Sequence, residues 1–221
     1  MTNGNKLPQT IAVIDYGMGN LHSVAKALQR IIQQDDALAS TYEVIVTSRP
    51  EEILAAQKVI LPGVGAFGDC MRNLKQYGLV EVIRQVIAEG RPFLGICLGL
   101  QMLFDGSEED PDEPGVGIFP GMVRKIIAPD LKIPHMGWNS LGYKTPSPLF
   151  QGLEEAPYVY FVHSYHAVPA DTTLITAVTE YGGSVTAAIG RGNVQAVQFH
   201  PEKSSSTGLK ILTNFVKEMK V

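Results

Sequence analysis

Short β-branched runs alternate with longer stretches whose apolar residues recur at three- and four-residue spacing, and this alternation restricts the first half of the chain to parallel βαβ units. Residues 10–15 (TIAVID) read as a strand buried on both faces. Asn20 is placed to cap the helix that follows, whose stripe is Leu21, Val24, Ala25, Leu28, Ile31 and Ile32. Further strands are expected at 43–47, 58–61 and 92–96, with a helical stretch at 67–89 interrupted near Tyr77-Gly78. The segment 105–115 is acidic and rich in Pro and Gly, which predicts a solvated loop.

Beyond that loop the runs 158–161, 174–179, 184–189 and 194–199 have hairpin spacing, with turns at Gly182-Gly183 and 190–193. They predict antiparallel strands extending the same sheet, and a helix over 207–220 ends the chain. A chain of 221 residues suits one domain, here expected over 10–221 behind a flexible tail, 1–9.

The net charge of −4 argues against a nucleic-acid partner, because neutralising phosphates takes a basic surface. No apolar run approaches the roughly 18 residues of a membrane span. The polar N-terminus has no apolar signal core, and the two cysteines, Cys70 and Cys97, are too few for a disulfide framework. A reduced, cytoplasmic setting is expected. The histidines and cysteines lack the spacing of a metal site, and no cofactor motif appears.

Chemistry concentrates at Gly95-Ile96-Cys97-Leu98-Gly99, between a strand and a helical pattern. A nucleophile on such a turn takes a strained backbone, and glycines on both sides make room for it. A cysteine alone reads more readily as a small core residue; the flanking glycines reverse that preference. Its base is His200, after the run 194–199, with Glu202 two residues on to orient the imidazole. His-Pro-Glu by itself reads at least as well as a surface turn after an edge strand, and Cys97 is what makes it the second half of a triad.

Attack on an amide places negative charge on oxygen, so backbone donors are needed. The N–H of Leu98 is one, and Pro62-Gly63-Val64-Gly65 offers that of Val64. Cys70 reads as packing, Met102, Leu103 and Phe104 as core positions of a helix after Cys97, and Trp138 as either buried or a protein contact.

Six collinear segments, IDYGMGNLHSV, LPGVGAFGDCM, GICLGLQMLF, PHMGWN, YFVHSYH and VQFHPEKSS, resemble the class I (triad) glutamine amidotransferases. Within that class they resemble the glutaminase subunits of imidazole glycerol phosphate synthase. The resemblance implies an α/β three-layer sandwich around a mixed, largely parallel sheet. It implies Cys97, His200 and Glu202 as triad, Val64 and Leu98 as oxyanion hole, and glutamine beside Gly63, Gly65, Gln101, Ser164 and Tyr165. It also implies a heterodimer with a (β/α)₈-barrel cyclase subunit that receives ammonia and yields imidazole glycerol phosphate and a purine precursor. A silent scaffold would have no need of these three side chains together.

Overall fold

The computed structural model describes residues 8–219. Most of the expected tail lies outside them, as does the end of the expected last helix at Lys220. Gln9, assigned to that tail, already begins the first strand.

The elements in the first half are β1 (Gln9–Ile14), α1 (Leu21–Gln33), α2 (Asp36–Ala39), β2 (Tyr42–Thr47), α3 (Pro50–Ala55) and β3 (Lys58–Gly63). They continue with α4 (Phe67–Gln76), α5 (Leu79–Ala88), β4 (Phe93–Cys97) and α6 (Leu98–Gln101). The expected break near Tyr77 is present because Gly78 turns left-handed, φ +67°, at the start of α5. The short helices α2 and α3 escape the periodicity argument, each being too brief to show a stripe.

The second half holds β5 (Gly106–Ser107), β6 (Gly121–Lys125), β7 (His135–Ser140), β8 (Gly142–Tyr143), β9 (Tyr158–His163), β10 (Tyr165–Pro169), β11 (Ile175–Glu180), β12 (Ser184–Arg191), β13 (Val194–Val197) and α7 (Ser205–Glu218). Eight strands form one sheet in the order β2-β1-β3-β4-β13-β12-β11-β8. The pairs from β2 through to β13 are parallel, and those from β13 through to β8 are antiparallel.

Side chains alternate across this sheet. Ala12 and Ile14 of β1 join the core under α3, α4 and α5, while Ile11 and Val13 join the core under α1 and α7. Two covered faces explain why the parallel strands read as unbroken apolar runs. The expected three-layer α/β sandwich with a mixed sheet is the architecture observed.

Three expectations need correction. The run at 158–161 does not extend the main sheet: β9 pairs with β7 in a separate antiparallel ribbon. Its Val159, Phe161 and His163 are buried while the residues between them are not, and a strand covered on one face cannot sit inside a sheet covered on both. Second, α6 is a single turn, so Met102, Leu103 and Phe104 are buried in the turn after it. Third, the segment 105–115 is folded against α4. Glu109 accepts from the N–H of Phe67 at 2.8 Å, Asp110 pairs with Arg72, and Glu113 pairs with Lys75. The acidity that predicts solvation instead meets the cations of α4 and its amide end, where negative charge is favoured.

Candidate active site

Parallel pairing of β4 with β3 and with β13 brings the reacting groups together. Gly63 stands opposite Cys97 in one register and Val197 opposite Ile96 in the other, so the ends of three strands converge. Cys97 adopts φ +56°, ψ −111°, a conformation rare outside glycine. The flanking glycines make that turn possible. A Cβ on Gly95 would lie 2.6 Å from the carbonyl oxygen of Gly99, and one on Gly99 would lie 1.9 Å from that of Leu61.

His200 lies three residues beyond β13 and opens a 3₁₀ turn, Pro201–Lys203. Its Nδ1 is 2.8 Å from Glu202 Oε1, and the turn, rather than an extended strand, brings the two together. The ring's Nε2 is buried and has no formed hydrogen bond among the described residues. Burial pulls the imidazole pKa down, but the Cys97 sulfur and then the Glu202 carboxylate outweigh it and raise it to about 10. The carboxylate therefore holds the proton on Nδ1 and leaves Nε2 to exchange one with Cys97.

Cys97 and His200 border a cavity of about 640 Å³, with Glu202 behind the imidazole rather than in the wall. Val64, Gly65, Leu98, Gln101, Ser164 and Tyr165 line it, as do His163, Glu109, Asn20 and Lys203. Gly63 does not. It is buried at the end of β3, where a Cβ would lie 2.7 Å from that of Leu98, so it sets spacing rather than forming wall. Gln101 borders the cavity, but its Nε2 donates to Tyr165 O and Gln198 Oε1, each at 3.0 Å. Among the described residues, no group of three or more metal-ligating side chains occurs.

A model of the class I glutamine amidotransferase family matches residues 12–219. The "Imidazole glycerol phosphate synthase subunit HisH" of Acaryochloris marina is 52% identical over 95% of this chain and 94% of its own. That of Moorella thermoacetica is 52% identical over 93% of each.

The chain belongs to the class I glutamine amidotransferases, in the HisH branch.

A solved glutamine amidotransferase shares the fold with TM-score 0.69, at 18% identity over 93% of this chain and 98% of that one. A putative GMP synthase subunit from Thermoplasma acidophilum gives 0.64, at 17% identity over 96% and 94%.

Sequence reasoning missed several residues around this family's triad. Asn20 precedes α1 but its side chain caps nothing; its Nδ2 turns instead to Glu202 Oε1 at 3.5 Å. Gln198 donates toward Cys97 Sγ at 3.7 Å. The available signal was its position two residues before His200, on the same strand end. His163 is tied into a chain of hydrogen bonds running from Asn139 to His135 to His163 to the carbonyl of Tyr165, at 3.4, 3.0 and 2.9 Å. With that carbonyl fixing Nδ1–H on His163, each ring donates in the same direction, and both stay neutral. Burial lowers the pKa of His135 to about 4 and that of His163 to about 3.

Proposed function

We propose that this chain hydrolyses glutamine at Cys97 and passes the ammonia to a separate (β/α)₈-barrel cyclase subunit, with which it forms a heterodimer in the cytoplasm. The observation that carries the reading is the buried His200–Glu202 pair beside a strained Cys97 at the wall of a cavity with room for a free amino acid. Glu109 and Lys203 border that cavity with opposite charges, a pattern suited to an α-ammonium and an α-carboxylate. The likeness to imidazole glycerol phosphate synthase HisH subunits, 52% identical across nearly the whole chain, supports the assignment to that enzyme.

His200 accepts the Cys97 proton, and the thiolate attacks the carboxamide carbon to give a tetrahedral oxyanion. The N–H groups of Leu98 and Val64 receive that charge. Collapse breaks the C–N bond as His200 returns its proton to the leaving nitrogen, giving ammonia and a thioester. Water, deprotonated by His200, then attacks the thioester, and glutamate leaves as Cys97 recovers its proton.

Cys97→Ala should abolish glutamate release while synthesis driven by added ammonia survives. Glutamate release at the wild-type rate in that variant would overturn the assignment. Assays on the free chain, the complex and the liganded complex test control by assembly, in which Val64 N–H reaches the oxyanion only when the partner is docked with its ligand bound. Loss of one such donor typically costs roughly a hundred- to a thousandfold. Equal turnover in all three states would remove control by assembly, and Val64→Pro retaining full stimulation would assign it to another group.

A further inference from the structure

Beneath the loop that carries Val64 lie two buried side chains that the triad chemistry does not use. Tyr16, just after β1, is wholly buried, and its hydroxyl donates to the carbonyl of Pro62 at 2.9 Å. Cys70, in the first turns of α4, is equally buried, and its thiol donates to the carbonyl of Val64 at 3.4 Å. The two heteroatoms are 3.6 Å apart. Each has one hydrogen to give, so donation from Tyr16 to Pro62 and from Cys70 to Val64 satisfies both groups at once. Burial pushes the Cys70 thiol up to about 11 and the Tyr16 hydroxyl well above its ordinary value, so both keep those hydrogens at neutral pH.

The two carbonyls belong to the peptide units on either side of Gly63–Val64, the unit whose N–H is assigned to the oxyanion. Tyr16 also closes in on Gly63: a Cβ there would be 2.9 Å from its hydroxyl oxygen. On the far side Gly65 has φ +101°, open to glycine and strained for other residues. The hydroxyl and the thiol thus grip the loop at both flanks and leave its centre to a residue without a side chain.

Building on the glutaminase reading, we propose that Tyr16 and Cys70 are positioning residues that fix the flanks of the oxyanion loop and confine its reorientation to the Gly63–Val64 peptide. Plain core packing would give the same burial. It gives no reason for each of the two donors to meet a carbonyl next to that peptide.

The test compares Tyr16→Phe, Cys70→Ala and Cys70→Ser in complex with the cyclase subunit, alongside alkylation of Cys97 by iodoacetamide, which forms no oxyanion. Positioning predicts that Tyr16→Phe and Cys70→Ala each lower kcat for glutamine by about tenfold, the scale of one hydrogen bond, with KM held within about twofold. Cys70→Ser, which keeps a donor, recovers most of the loss, and Cys97 alkylates at the wild-type rate throughout, as followed by peptide mass spectrometry. Unchanged kcat in both Tyr16→Phe and Cys70→Ala overturns the proposal. So does Cys70→Ser behaving like Cys70→Ala, or alkylation falling in step with kcat, either of which marks a general structural role. A wild-type complex that releases no glutamate would instead overturn the glutaminase reading itself.

Discussion

The His200 imidazole and the Glu202 carboxylate meet at 2.8 Å with their side chains 2% and 1% exposed, so the charge that orients the base is almost wholly shielded from water. A shielded carboxylate holds an imidazole far more firmly than a surface one, because little solvent screens it. His200→Ala is expected to reduce glutaminase kcat about a thousandfold or more, since it removes the proton carrier. Glu202→Gln should retain more activity, because the amide can still present an oxygen to Nδ1. The double variant should be little worse than His200→Ala, as residues acting as a unit do not add. Steady-state glutamate release from the three variants decides this, and Glu202→Gln falling below His200→Ala would reverse the assigned roles.

Alkaline pH should weaken the fold through the same histidine. His200 titrates at about 10 in the folded chain against an ordinary value of 6.5. A raised pKa contributes stability in full below about pH 6.5, and that contribution is lost as pH rises through about 10. Thermal melts of wild type between pH 7 and 10 should therefore decline more steeply than those of Cys97→Ala, which lacks the sulfur that most favours the imidazolium. Parallel declines would show that Cys97 does not support the charged form of His200.

Acid should act through the other histidine pair. His135 and His163 titrate at about 4 and about 3, held down by burial, while the unfolded chain protonates both near 6.5. The unfolded state then binds more protons, so stability is present above about pH 6.5 and falls as pH drops towards 4. His135→Phe, a ring suited to the stack between Phe161 and Tyr181, should flatten that fall in urea titrations at pH 7, 6, 5 and 4. An unchanged slope would show that this pair does not set the acid limit.

Trp138 is 51% exposed and Met136 61%, on the ribbon whose other strand, β9, runs into the Ser164–Tyr165 wall of the cavity. Large apolar side chains left half in water suit a protein contact. Trp138→Ala should weaken cyclase binding by about 2 kcal/mol, roughly thirtyfold in Kd, while free-chain glutaminase and Tm stay near wild type. Isothermal titration with the cyclase subunit would show this, and an unaltered Kd would place the interface elsewhere.

What could be read in advance was local in origin. The parallel half was legible because Ile11 to Ile14 and Val59 to Leu61 alternate between two covered faces and so stay apolar throughout. The strained turn at Cys97 was legible because Gly95 and Gly99 mark a place that a Cβ would block. The sheet assignment of β9 failed because a run such as Tyr158 to Phe161 does not carry the identity of its partner strand, here β7. The loop at 105–115 was misread because its carboxylates find Arg72, Lys75 and an amide of α4, all distant in sequence.

Periodicity, turn chemistry and the spacing of His200 from Glu202 depend on neighbours a few residues away, and the sequence by itself determined these: the βαβ half, the strained cysteine and the pairing of His200 with Glu202. Everything that turns the triad into a site was decided by the tertiary structure. The approach of Gln198 to Cys97 spans 101 positions, that of Asn20 to Glu202 spans 182, and the contacts of Tyr16 and Cys70 with the carbonyls of Pro62 and Val64 join the end of β1 to α4 through β3. Such contacts exist because β13 inserts beside β4 while β3 closes the other side, an order of strands set by burial of the whole sheet rather than by any short segment. A polar side chain such as Asn20 or Gln198 looks the same in sequence whether it faces water or a catalytic sulfur. Only the packing of distant strands, which removes the water and leaves one partner within reach, gives it a function.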